Sequence, residues 1–227
     1  MSKKGKLEKF KDIESLANVY RNQKVHSSIL LHPIHQEIDM RGKWNEHFCN
    51  DNPIHLELAC GRGEYTVGLA QMYPNQNFIG MDLKGNRIWT GAKFAMQNQL
   101  QNAAFLRSQI DFITNYFAPG EIQDIWITFA DPQIEKPRKR LSSPLFLERY
   151  RKLMNQDGSI HLKTDSKELH DYTLEQIHTL GLKLEVAYAD IYALDQQMPE
   201  WEIKTYYEKM HMDKGKKITY LRFKFNA

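Results

Sequence analysis

The segment Glu57-Leu58-Ala59-Cys60-Gly61-Arg62-Gly63-Glu64-Tyr65 joins a carboxylate to two glycines spaced one residue apart. Such glycines tolerate positive φ and let a nucleotide-like ligand approach the backbone. A dinucleotide fingerprint would place a third small residue three positions past Gly63, and Thr66 stands there, so this spacing alone is weak evidence. Asp82, 19 residues after Gly63, adds a carboxylate that can accept hydrogen bonds from both hydroxyls of a ribose. Glu57 lies in an otherwise apolar run, where a carboxylate is costly unless a cation or a bound donor meets it. A sulfonium cofactor carrying an amino group would be such a partner, whereas acids would repel a dinucleotide's pyrophosphate. S-adenosylmethionine therefore suits Glu57, Gly61, Gly63 and Asp82 better than NAD. Asp111 follows the next apolar run by three residues, where it would either meet the adenine edge or cap a helix over 112–117.

A second site begins at Thr128-Phe129-Ala130-Asp131-Pro132. At the carboxyl end of a strand in an open parallel sheet, Asp131 would project into the ligand crevice, within reach of both the cofactor and the reacting atom. A ring nitrogen such as guanine N7 already offers a lone pair, so it needs positioning more than deprotonation, and a carboxylate suits the cationic ring that results. Lys136, Arg138, Lys139 and Arg140 follow at once and form the densest basic cluster of the chain. They would hold phosphates of a polyanionic substrate, the alternative being a solvated loop.

These residues need a scaffold that gathers strand ends. From Ile54 onward, apolar runs rich in β-formers (54–59, 77–82, 104–108, 124–129, 159–163, 183–192 and 217–225) alternate with stretches at helical spacing (64–72, 86–99, 144–154 and 167–180). This pattern predicts a Rossmann-like α/β domain over residues 51–227. Its seven-stranded, mostly parallel sheet has helices on both faces, and its final strands, separated by a polar stretch, pair antiparallel. Residues 1–50 read as a basic N-terminal arm with short helices.

Composition narrows the class further. At 227 residues and 41% hydrophobic, the chain can bury a core, and its two cysteines make no disulfide framework. No apolar run is long enough to span a membrane and no export signal precedes the first helix, so a soluble cytoplasmic protein is expected. His32 and His35 lack a third ligand nearby, and no metal is expected. The net charge of +3 conceals segregation. Residues 1–50 hold 9 basic against 6 acidic side chains, 51–131 hold 5 against 8, and 132–227 hold 17 against 14. An acidic middle flanked by basic ends suits a cationic cofactor and a polyanionic substrate.

In order and spacing the chain resembles the tRNA (guanine-N7)-methyltransferase family. The matching pieces are Glu57-x-x-Cys60-Gly61-Arg62-Gly63, Phe78-Ile79-Gly80-Met81-Asp82, Phe129-Ala130-Asp131-Pro132 with Lys139-Arg140-Leu141, Leu162-Lys163-Thr164-Asp165, and Thr205-x-Tyr207-Glu208 followed by Gly215-Lys216-x-Ile218. The resemblance implies a class I methyltransferase fold, S-adenosylmethionine as methyl donor and guanine 46 of the tRNA variable loop as target. It assigns Glu57, Asp82 and Asp111 to the cofactor and Asp131 to the reaction centre. It assigns Lys136, Asp165, Thr205, Tyr207 and Glu208 to the substrate. Read without it, Asp165 would cap the helix at Lys167 and the Thr205 segment would be an ordinary helix start. The chain departs from the pattern at Ala59, Ala130 and Gln133, where the family usually has Gly, Pro and Trp, and its Asp-Pro loop is about two residues shorter. The expectation is an enzyme, monomeric or homodimeric, acting on tRNA. The rivals are a non-catalytic RNA-binding protein on this fold and a small-molecule methyltransferase.

Overall fold

The computed structural model describes residues 5–24 and 27–226. Lys3 and Lys4 of the expected basic arm, and His26, lie outside the described residues. In chain order the elements are α1 (Lys6–Asp12), β1 (Val19–Asn22), β2 (Ile29–His32), β3 (Gln36–Asp39), α2 (Trp44–Phe48), β4 (Ile54–Leu58), α3 (Glu64–Met72), β5 (Asn77–Asp82), α4 (Gly85–Gln97), β6 (Ala103–Arg107) and β7 (Ile122–Thr128). They continue with α5 (Pro144–Arg151), β8 (Ile160–Thr164), α6 (Lys167–Thr179), β9 (Lys183–Tyr188), α7 (Tyr206–Met212) and β10 (Thr219–Lys224).

All strands join one sheet in the order β3-β2-β1-β6-β5-β4-β7-β8-β10-β9. The seven expected strands are all present, and β4 to β8 are parallel where they neighbour one another. β10 runs antiparallel to both β8 and β9, as the polar connection before it suggested.

Among the described residues the expected count of seven is corrected to ten. β1 pairs parallel with β6, and β2 and β3 extend that edge antiparallel, so between its helices α1 and α2 the stretch read as an arm with short helices holds three strands. Each is only four residues long, too short for an alternation to stand out in sequence. Their place comes from the open edge of β6, against which Val19, Tyr20 and Leu30 become fully buried.

The pleat of the central strands sorts their side chains into two cores. Leu56, Leu58, Ile79, Met81 and Leu106 pack with Trp44 of α2, Phe146 and Tyr150 of α5, and Leu169 and Ile177 of α6. On the opposite face Phe78, Phe105 and Trp126 pack with Tyr65 and Leu69 of α3 and with Ile88 and Ala92 of α4. Helices thus cover both faces. β5 and β7 flank β4 on opposite sides, which opens a crevice beyond their carboxyl ends.

Candidate active site

Glu57 belongs to the α3 face of β4, and its buried carboxylate has internal partners. The Thr66 amide donates to Oε2 at 2.8 Å, the Thr66 hydroxyl donates to the same oxygen, and the Thr128 hydroxyl donates to Oε1 at 2.7 Å. Burial pushes its carboxyl up to about 7 despite these donors, and the nearby charge of Glu64 adds to the rise. The donors that a carboxylate in this apolar run requires are therefore in part internal. Thr66, conspicuous only as a non-glycine in the turn, supplies much of the compensation.

The two glycines do different work. Gly61, at φ +55°, would bring an added Cβ no closer than 3.9 Å to a neighbouring atom. Its amide donates to Asp82 Oδ2 at 2.9 Å, while the Lys84 amide donates to Oδ1 at 2.7 Å. Gly63, at φ +68°, would place a Cβ 2.4 Å from the Phe105 ring. Its constraint is packing of the turn onto β6, and it is absent from the cavity wall. Ala59 also takes a left-handed φ of +56°, which accounts for glycine being usual there in the family it resembles.

A cavity of about 360 Å³ lies at the carboxyl ends of β4, β5 and β7, and its wall includes Glu57, Gly61, Asp82, Asp131, Thr205 and Tyr207. A second cavity, of about 920 Å³, meets it at Ala59 and Asp82 and is lined by Ser108, Asp111, Lys136 and Arg138 among others. Six of the expected residues thus share the smaller cavity, and Asp82 faces both. Asp131 is exposed and accepts the Gln133 amide at 3.0 Å. Asp111 lies within a 3-10 turn (Ile110–Asn115) rather than at its N-cap, and pairs with Arg149 at 3.6 Å.

Four residues differ from their simplest reading. Arg140, expected with the phosphate-binding run, is buried. Its Nε donates to the Pro132 carbonyl at 2.8 Å, and its guanidinium pairs with Glu168 and covers the Tyr172 ring. Asp165 is not a helix cap, a role that Ser166 takes. It is held by Lys216 at 2.6 Å and by His211 at 3.2 Å, outside the smaller cavity's wall. Thr205 caps α7 by accepting the Glu208 amide at 3.1 Å. Glu208 is wholly buried, 2.8 Å from the equally buried Lys163 ammonium, and it also accepts the Tyr192 hydroxyl at 2.5 Å. It fixes the helix that carries Thr205 and Tyr207 without itself reaching the cavity.

Sequence reasoning passed over Arg62, Lys84, Arg87 and His211, all of which line the smaller cavity. The first three sit beside motif residues, so a search of the motif's variable positions for cations would have found them. His211 lies one helical turn past Tyr207 on α7, so the same search extended along that helix would have found it.

An open α/β sheet with a reversed final strand, and a cleft lined by acids at its switch point, define the Rossmann-like class I methyltransferase architecture. Solved structures agree. The 16S rRNA methyltransferase KamB superposes with a TM-score of 0.65 at 12% identity, covering 85% of this chain and 97% of that one. A 16S rRNA (adenine(1408)-N(1))-methyltransferase from Catenulisporales acidiphilia, solved with its cosubstrate S-adenosylmethionine, gives 0.57 at 12% identity over 85% and 94%. A family model described as "Putative methyltransferase" matches residues 51–221. Similarity to curated proteins is closer. The tRNA (guanine-N(7)-)-methyltransferase of Bacteroides thetaiotaomicron is 48% identical over 97% of this chain and 86% of its own length. That of Christiangramia forsetii is 45% identical over 99% of both. The chain belongs to the tRNA (guanine-N(7)-)-methyltransferase family.

Proposed function

We propose that this protein transfers a methyl group from S-adenosylmethionine to N7 of guanine 46 in the variable loop of tRNA, acting in the cytoplasm as a monomer or homodimer. The observation that carries this reading is the shared cavity, which brings Glu57, Gly61, Asp82 and Asp131 from the ends of three strands against Thr205 and Tyr207 of α7. The donor set fits the cofactor. Asp82 spends two acceptor positions on the Gly61 and Lys84 amides and retains others for ribose hydroxyls. Glu57 would face the amino group, and the open space at Gly61 would admit the cofactor's backbone approach. Asp111 and Ser108 line the wider cavity that would take the adenine.

When bound, S-adenosylmethionine supplies a methyl group on cationic sulfur. The protein's own residues do the rest. Asp131 would orient the base so that the N7 lone pair faces the methyl carbon, and its carboxylate would offset the positive charge that the purine acquires. N7 carries no proton, so no residue needs to act as a base there. Thr205, Tyr207 and Asp165 would seat the nucleotide, Glu208 would hold α7, and Lys136, Arg138 and Lys139 would hold tRNA phosphates.

The test is transfer of a labelled methyl group to tRNA lacking the modification, followed by borohydride and aniline scission. A single cut at nucleotide 46 supports the reading. Bound tRNA without transferred label would favour the RNA-binding rival, and a cut elsewhere would remove the assignment to the variable loop. Label transferred only to a small molecule would favour the other rival.

A further inference from the structure

At the start of α7, Tyr207 lines the smaller cavity and Tyr206 follows the lining residue Thr205, and each tyrosine meets a guanidinium that lines the same cavity. Arg62, in the turn before α3, covers the Tyr206 ring at 4.1 Å, and Arg87, from the first turn of α4, lies over Tyr207 at 5.6 Å. The two rings meet edge to face, with centroids 5.5 Å apart and planes at 81°. Tyr206 remains 47% exposed, so packing leaves much of it open to solvent. Its backbone is nonetheless fixed. The Tyr206 amide donates to Glu64 Oε2 at 3.1 Å, the Thr205 cap closes the first turn, and the buried Lys163–Glu208 pair anchors that same turn.

A half-exposed aromatic ring on a rigid helix start, backed by a cation and beside a cavity that opens outward, is what an unstacked nucleobase recognises. A guanidinium plane can hold a base or a phosphate with equal ease. Arg62, Arg87 and Lys84 all line this cavity, whereas the basic loop lines the wider one. A strand entering between the two cationic edges would carry its target base inward and leave the next base at Tyr206.

We propose that the Tyr206–Arg62 pair, with Tyr207–Arg87 beside it, is a second nucleotide subsite, on which an RNA base adjacent to the target guanine stacks once the loop is unstacked. The proposal rests on the tRNA reading above. It adds a contact that reads no base identity and keeps the target nucleotide out of its own stack.

Two tRNAs, each with 2-aminopurine at one neighbour of the target guanine, test it by fluorescence titration. Wild-type protein should quench at least one probe. Tyr206→Ala should abolish that quench and weaken tRNA binding about 10- to 100-fold. Tyr206→Phe, which keeps the ring, should retain both, and calorimetric binding of S-adenosylmethionine would show that each variant is folded. Quenching that persists in Tyr206→Ala, or is absent from wild-type protein that binds tRNA, overturns the subsite, as does a loss in Tyr206→Phe equal to that in Tyr206→Ala. Wild-type protein that fails to bind tRNA at all overturns the functional reading instead, and the same titration reads that outcome.

Discussion

The Lys163 ammonium lies 2.8 Å from the Glu208 carboxylate with neither side chain exposed. Lys163 comes from β8 and Glu208 from α7, so the pair ties the helix that lines the cavity to the sheet. Burial pulls the Lys163 ammonium downward and the facing carboxylate opposes that pull. Removing one partner strands the other charge. Glu208→Gln and Lys163→Met should each cost about 3–5 kcal/mol by urea denaturation, and the double variant should recover much of that loss. Additive losses would show that the pair is not coupled.

Gly61→Ala and Gly63→Ala separate the two glycine roles. At Gly63 a methyl group collides with Phe105 in addition to the left-handed backbone, so a loss of roughly 2–5 kcal/mol is expected. At Gly61 only the backbone strain applies, about 1–2 kcal/mol. The Gly61 variant should remain folded and lose cofactor affinity by calorimetry. Equal destabilisation of the two would contradict the packing argument.

Glu57 predicts a pH dependence of known sign. Its folded-state pKa is raised from 4.5 to about 7, so the native protein holds this proton more tightly than the unfolded chain. The contribution of Glu57 to stability is therefore full below about pH 4.5 and declines as pH rises to about 7. Binding of a cationic amino group runs the other way, because it favours the ionised carboxylate. Cofactor affinity should increase about tenfold between pH 6 and pH 8, and Glu57→Gln should flatten the profile. A flat wild-type profile would remove Glu57 from the amino group.

Asp131 is exposed and makes one internal hydrogen bond, to the Gln133 amide. Asp131→Asn should leave the melting temperature nearly unchanged while lowering kcat by about 10²–10³. Near-normal turnover would exclude it from the reaction centre.

The basic loop divides between surface and core. Lys136→Glu with Lys139→Glu should weaken tRNA binding in filter assays and reduce the salt slope by roughly 1.5, since both side chains are exposed. Arg140→Ala should act on stability instead, because its guanidinium is buried against Glu168 and Tyr172. Loss of tRNA affinity without loss of stability in Arg140→Ala would reverse that division.

Much of the scaffold was legible because parallel central strands are continuous apolar runs, and the helices between them repeat over several turns. Asn77–Asp82 and Glu64–Met72 have the bounds that periodicity suggested. The strands of residues 19–39 were not legible, since four residues carry too little pattern and the pairing of β1 depends on β6, 86 residues further along the chain.

By itself, the sequence determined the alternating α/β order, the glycine turn with its acids at Glu57 and Asp82, the Asp-Pro segment and the segregation of charge. All are local or periodic properties, readable along the chain. Only the tertiary structure decided that Thr66 and Thr128 satisfy Glu57, that Gly63 packs while Gly61 faces the cavity, that Arg140 and Glu208 are interior, and that Arg62, Arg87 and His211 join the site. These depend on which side chains meet across crossovers, and burial and partner geometry are set by packing rather than by residue type.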